Sequence, residues 1–149
     1  MVNPNSLLCN IEPMKILVTG ASGLVGRNLS QRLVEKGHTV IPLLRGDRRD
    51  GLPHWDPNAG KIDLSPLKDL DAVVHLAGEN VASRWTDRKK QAIRDSRILG
   101  TKLLAEALAE MRSPPATLLQ ASAVGYYGTR GDLELDETSE PGSGFLSDT

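Results

Sequence analysis

The stretch Lys15 to Gly26, KILVTGASGLVG, limits what this chain can fold into more than any other part of it. Ile16, Leu17 and Val18 form a continuous apolar run, the pattern of a strand buried on both faces of a parallel sheet. Gly20, Gly23 and Gly26 follow at the spacing G-x-x-G-x-x-G, and an amphipathic segment opens at Leu24. The first two glycines stand one residue further apart than in the dinucleotide fingerprint G-x-G-x-x-G. Each glycine has its own physical duty in such a turn. Gly20 permits a tight bend, Gly23 lets backbone approach a pyrophosphate, and Gly26 lets the helix pack closely on the strand. The helix start adds free N–H groups and the positive end of its dipole, which favour a phosphate.

Beyond the turn, strand and helix signals alternate. Leu24, Val25, Leu29, Leu33 and Val34 recur at helical spacing up to Lys36, and Gly37 is a C-cap. His38 to Leu44 reads as a second strand, in which Pro42 requires an edge or a bulge because it has no N–H to donate. Pro53, Pro57 and Pro66 break the next segment, leaving room for a short strand over Pro53 to Asp56 and a helical turn over Ser65 to Leu70. Asp71 to Ala77, DAVVHLA, is another buried strand closed by Gly78. A long helix spans Thr86 to Met111, with Thr86 as N-cap and with Ile93, Ile98, Leu99, Leu103, Leu104, Ala107 and Leu108 at helical periods. Ser113, Pro114 and Pro115 stop it, and Ala116 to Ala121 gives the last strand. After Gly125 the pattern dissolves into small and polar residues, and Phe145 to Thr149 reads as a first helical turn. The alternation predicts an α/β fold with right-handed βαβ crossovers.

Composition narrows the partners. At 149 residues the chain suits one domain. A formal net charge of -1 gives no basic excess for nucleic acid or an anionic membrane surface. No apolar run approaches the roughly 20 residues of a membrane helix. The single cysteine, Cys9, rules out an internal disulfide and fits a reducing compartment, the cytoplasm, or an organelle stroma or matrix if a longer precursor exists. Residues 1–13 lack a basic n-region and read as a flexible tail rather than a signal peptide.

The end of the second strand discriminates between cofactors. An acidic residue there accepts from the ribose 2′-OH of NAD, whereas arginine receives the 2′-phosphate of NADP. Leu44 stands in the acid's place and Arg45 follows it, with Arg48 and Arg49 close behind. A charged hydrogen bond of this kind is worth about 1.5 to 3 kcal/mol, so NADP is expected over NAD. The alternative is a solvated basic loop partly neutralised by Asp47 and Asp50.

Together TGASGLVG, DAVVHLAG, ILGTKLLAEAL and SAVGYYG resemble an extended short-chain dehydrogenase/reductase of the NAD-dependent epimerase/dehydratase family. The fuller pattern WDP, HLAGENVASRW, RKKQAIRDSRILGT and SAVGYYG is similar to the subgroup labelled sugar-nucleotide epimerase or cell-division-inhibitor-like, over about Met14 to Phe145. The resemblance implies a Rossmann-type doubly wound parallel sheet of about five strands in the order 3-2-1-4-5, truncated on its C-terminal side. Residues 14–149 would form an NADP-binding domain without the substrate-binding part. It further implies that Gly20, Ser22, Gly23, Leu24 and Val25 line the pyrophosphate and that Arg45 meets the adenosine phosphate. Asp56 would touch the adenine edge, and Ala77 with Gly78 would border the ribose.

By the same resemblance Ser122 takes the place of the active-site serine, whose usual partners are a Tyr-x-x-x-Lys pair that exchanges a proton during hydride transfer. Tyr126 is followed four residues on by Arg130 and Tyr127 by Gly131, so neither forms that pair, which in the family falls at or past Thr149. Arg97 stands where many relatives carry asparagine. Glu79 and Asn80 follow the carboxyl end of a parallel strand, where ligands bind in open sheets, and Glu79 equally fits a loop cap. His38, His54, His75 and Cys9 show no metal-ligand spacing, and His75 reads as a hydrogen-bonded core residue. Asp136 and Glu137 read as solvated.

Two functions follow as expectations. One is the NADP(H)-binding domain of an oxidoreductase or nucleotide-sugar epimerase, acting on an unidentified small molecule and catalytically incomplete as given. The other is a non-catalytic NADPH-binding regulator acting through a protein partner. An uncovered last strand would in either case favour a homodimer or poor solubility.

Overall fold

The computed structural model describes residues 12–46 and 51–149 of the chain. The expectations for the tail with Cys9, apart from residues 12 and 13, and for Asp47, Arg48, Arg49 and Asp50 lie outside the described residues. The strands are β1 (Lys15–Thr19), β2 (Thr39–Arg45), β3 (His54–Asp56), β4 (Lys61–Asp63), β5 (Ala72–His75) and β6 (Thr117–Gln120). The helices are α1 (Leu24–Glu35), α2 (Asp87–Ala109) and the short α3 (Phe145–Asp148). One six-stranded sheet runs in the order β4-β3-β2-β1-β5-β6. All pairs are parallel except β3 and β4. The five expected strands therefore stand in the expected Rossmann order, and β4 adds an antiparallel edge that the sequence reading lacked.

The sheet is covered on both faces near its centre, which is why β1 is apolar at successive positions. On one face Leu17, Leu43 and Val73 pack with Leu104 and Leu108 of α2 and with Trp55, Leu64, Leu67 and Leu70. On the other, Ile16, Val18, Ala72 and Val74 meet Leu29 and Leu33 of α1. Each fully buried side chain of this size contributes about 1.5–3 kcal/mol. Of the α1 residues read as an apolar face, Leu24, Val25 and Val34 are instead 79%, 64% and 59% exposed. Leu24 and Val25 fall in the first turn of α1 and Val34 in its last. In α2 the inward stripe is Ile93, Gly100, Leu104 and Leu108, while Ile98 and Leu99 face outward. Thr86 caps α2, its hydroxyl accepting from the Lys89 N–H at 3.2 Å.

Pro42 sits in β2 opposite Val18, inside the sheet rather than at its rim. The next alternate residues, Leu44 and Gly46, turn their N–H groups to β3. Pro42 points the same way, but β3 begins only opposite Leu44. The missing N–H therefore meets a local edge, as the proline demands. Ser65 to Leu70 holds a single turn closed by the Leu67 N–H on the Leu64 carbonyl, not a helix.

Every residue of β6 is exposed, including Leu118 and Leu119. Past it, a 3-10 turn over Val124–Tyr127 leads into an ordered loop. Arg130 ties that loop by donating to the carbonyls of Tyr127, Glu140 and Pro141. The Trp85 and Phe145 rings meet edge to face at 5.5 Å, joining the loop before α2 to α3. Asp136 and Glu137 are exposed as expected, and bonds from Thr138 and Ser139 hold the Asp136 carboxyl below its ordinary range.

Candidate dinucleotide site

The turn after β1 is built as the glycine spacing requires. Gly20 adopts φ +67°, and a Cβ there would lie 3.0 Å from the Ala77 nitrogen and the Leu76 carbonyl carbon. Gly26 is the tightest point of the turn, because a Cβ there would run into the Gly20 carbonyl and the Ala21 backbone. The helix thus packs on the turn itself, one step beyond the strand contact read from the sequence. Gly23 is the N-cap of α1, has ordinary φ and ψ of -71° and 173°, and supplies no side-chain cap. No acidic residue occupies the first turn of α1. Its leading N–H groups are left for an anion.

A buried polar contact fixes this turn against β5. The Thr19 hydroxyl accepts from the Leu76 and Ala77 N–H groups at 3.1 and 3.0 Å and lies 2.5 Å from His75 Nδ1. With both acceptor positions used, the hydroxyl donates to Nδ1, which leaves the ring proton on Nε2. His75 is 1% exposed, and burial holds its pKa below the ordinary 6.5. It is the hydrogen-bonded core residue that the sequence indicated. The ring lies edge to face with Trp55, centroids 5.8 Å apart, and Nε2 has no hydrogen-bond partner among the described residues.

Gly20, Ser22, Gly23, Arg45, Ala77 and Gly78 line one cleft of about 550 Å³ at the carboxyl ends of β1, β2 and β5. Trp55, Pro57, Pro42, Leu44 and Ser96 complete its wall. Of these, the sequence singled out neither Trp55, Pro57 nor Ser96 as lining residues, although Trp55 and Pro57 flank Asp56 in the WDP segment. Asp56 itself does not line the cleft, and its carboxylate accepts from the Asn58 and Ala59 N–H groups to close a turn. Leu24 and Val25 are exposed and their side chains do not line the cleft. Arg45 is exposed at the cleft with no hydrogen bond or ion pair among the described residues.

A second cavity, of about 740 Å³, shares Leu76, Ala77 and Gly78 with the first and extends past Ser122 and Tyr126. Glu79 lines neither cavity. Its carboxylate pairs with Lys89 at 2.5 Å and its N–H donates to Ser96 Oγ, so it ties the loop after β5 to α2. The Lys89 hydrogen bond, and then the charges of Lys89, Arg45 and Arg97, hold the Glu79 pKa below its usual range. Arg97 lies against Gly78, 3.5 Å from where a Cβ would be. Among the described residues no three His, Cys, Asp or Glu side chains gather as metal ligands. No described helix is long and apolar enough to cross a membrane.

The family model for the NAD dependent epimerase/dehydratase family matches residues 16–145. The chain belongs to that family. An epimerase family protein of Mycobacterium bovis is 42% identical over 134 residues, covering 89% of this chain and 44% of the relative. The solved human epimerase family protein SDR39U1 with NADPH is 34% identical with a TM-score of 0.76, over 91% of this chain and 45% of that one. The nucleoside-diphosphate sugar epimerase from Corynebacterium glutamicum is 43% identical with a TM-score of 0.75, over 91% and 28%. The chain spans less than half the length of these epimerase-family relatives, and the two solved structures share its Rossmann sheet. Dinucleotide binding is supported for this chain by its family.

Proposed function

We propose that this chain is the NADP(H)-binding part of an atypical extended short-chain dehydrogenase/reductase, a nucleotide-sugar epimerase or reductase that needs further residues for its chemistry. The observation that carries the reading is Arg45 at the end of β2, beside the cleft that begins at the Gly20–Gly23 turn. An arginine at that strand end matches a ribose 2′-phosphate, and an acid would match a 2′-OH. The human relative solved with NADPH supports the same choice. When bound, the dinucleotide supplies hydride chemistry. This chain's residues seat its phosphates on the α1 N-terminus and Gly23, and they present Ser122 from the neighbouring cavity. Tyr-x-x-x-Lys is absent from the sequence, so the proton-exchanging pair is assigned to residues outside it. The reading places the protein in the reducing cytoplasm, with an unidentified small molecule as substrate.

The same absence favours a second reading, an NADPH-binding regulator that acts through a protein partner. Titration of NADPH and NADH against wild type and Arg45→Ala tests the cofactor assignment. NADPH is expected to bind more tightly, and Arg45→Ala to erase the difference. No binding of either nucleotide sinks both readings, and an unchanged preference in the variant sinks the role of Arg45. Adding a Tyr-x-x-x-Lys-bearing continuation separates enzyme from regulator, because only the enzyme gains turnover.

A further inference from the structure

We propose that Arg97 makes this chain select the reduced form of its dinucleotide over the oxidised form. The inference rests on the reading that the cleft takes NADP(H).

Arg97 occupies an unusual place in α2. It lies one turn from Ile93 and one turn from Gly100, both buried, so it falls on the stripe that faces the sheet. A cation there is held by neutral groups. Its Nη1 donates to the carbonyls of Glu79 and Ile93 at 3.2 Å each and to Ser96 Oγ at 3.3 Å. No carboxylate pairs with it among the described residues, because the nearby Glu79 carboxylate is taken by Lys89. The Glu79 carboxylate feels the Arg97 charge only at a distance, so the guanidinium rests against Gly78 without a direct ion pair among the described residues.

Gly78 belongs to the wall shared by the two cavities. On one side stand the glycine turn and Arg45, and on the other Ser122 and Tyr126. A dinucleotide bound where the strand order reverses sends its adenosine half to one side of that point and its nicotinamide half to the other. With adenosine on the Arg45 side, the nicotinamide half belongs to the cavity that Arg97 lines. The oxidised nicotinamide ring carries a positive charge and the reduced ring carries none. A fixed cation beside the ring penalises only the oxidised form. The other charged groups of that cavity are Lys102, 3.8 Å from Glu106, and Asp148 in α3. Both are exposed and screened more strongly than Arg97.

The test is a pair of titrations, NADPH and NADP⁺, on wild type, Arg97→Gln, Arg97→Lys and Arg45→Ala. Wild type is expected to bind NADPH at least about tenfold more tightly, the scale of one repulsive pair in partly solvated surroundings. Arg97→Gln should bring the ratio near one, and Arg97→Lys should keep it. Arg45→Ala should weaken both nucleotides and preserve the ratio. Equal affinities in wild type, or a wild-type ratio in Arg97→Gln, overturn the proposal while leaving NADP(H) binding intact. If neither nucleotide binds wild type, the cofactor reading fails with it. Should Arg97→Gln not fold, the wild-type ratio alone decides, and it should shrink as salt is raised.

Discussion

The Thr19 hydroxyl and the His75 imidazole meet 2.5 Å apart, joining the carboxyl ends of β1 and β5 beneath the glycine turn. The same hydroxyl holds the Leu76 and Ala77 N–H groups, so one oxygen sets the spacing of the two strands that bear the cleft.

Thr19→Val keeps the shape of that side chain and removes the oxygen. Leu76 keeps a bond to the Thr19 carbonyl, but Ala77 loses its acceptor. The expected loss is about 1–3 kcal/mol, the cost of a part-buried donor left unmet. Thr19→Ser retains the oxygen and should lose less. Urea denaturation of the three proteins checks the order, and a Val variant as stable as wild type would remove the clamp from the account.

His75 predicts a pH dependence of stability. Its folded pKa lies below the 6.5 of the unfolded chain because burial disfavours the charged ring. Just below 6.5 the unfolded chain takes up a proton that the folded chain refuses, so stability falls with pH. The contribution is complete above 6.5 and is lost as pH drops towards the folded pKa. His75→Gln should show a shallower loss than wild type between pH 7.5 and 5.5. Parallel curves for the two proteins would mean that other groups set the slope.

The two glycines at the start of α1 should separate folding from binding. Replacing glycine by alanine inside a helix ordinarily gains about 1 kcal/mol. At Gly26 the sign reverses, since the new Cβ meets the backbone of Gly20 and Ala21. Gly26→Ala should melt well below wild type. Gly23→Ala has an allowed backbone and one contact, at 3.2 Å to the Gly20 carbonyl, so it should fold and bind NADPH about tenfold or more weakly. Thermal denaturation and nucleotide titration, run on both variants, give opposite patterns if the assignment is right.

Exposure of β6 on both faces predicts self-association. Among the described residues no strand pairs with its outer edge, and Leu119 is 58% exposed. Mass from light scattering should rise with concentration, and Leu119→Lys should suppress the rise. A wild-type monomer at every concentration counts against a homodimer.

The long apolar runs of β1 and β5 made the sheet readable in sequence, because parallel strands buried on both faces leave no other pattern. The glycine spacing did the same for the turn. β4 escaped because a three-residue strand with Ile62 as its only apolar residue carries no periodic signal. Leu24 and Val25 misled for the opposite reason. They keep helical period in the first turn of a helix whose buried contacts come from Leu29 and Leu33. Trp55 and Ser96 enter the cleft through tertiary placement, across many intervening residues, and local spacing holds no record of it. In the sequence Arg97 drew notice only through the family resemblance. Its place against Gly78 is set by the packing of α2 on the sheet, which local spacing does not record.

The contact between Gly26 and the Gly20 carbonyl also has a genetic side. Every missense change in a glycine codon installs a side chain with at least one carbon. The codon for residue 26 therefore has no amino-acid-changing neighbour that preserves the turn. Selection for a folded turn therefore acts on this codon whichever nucleotide the cleft takes.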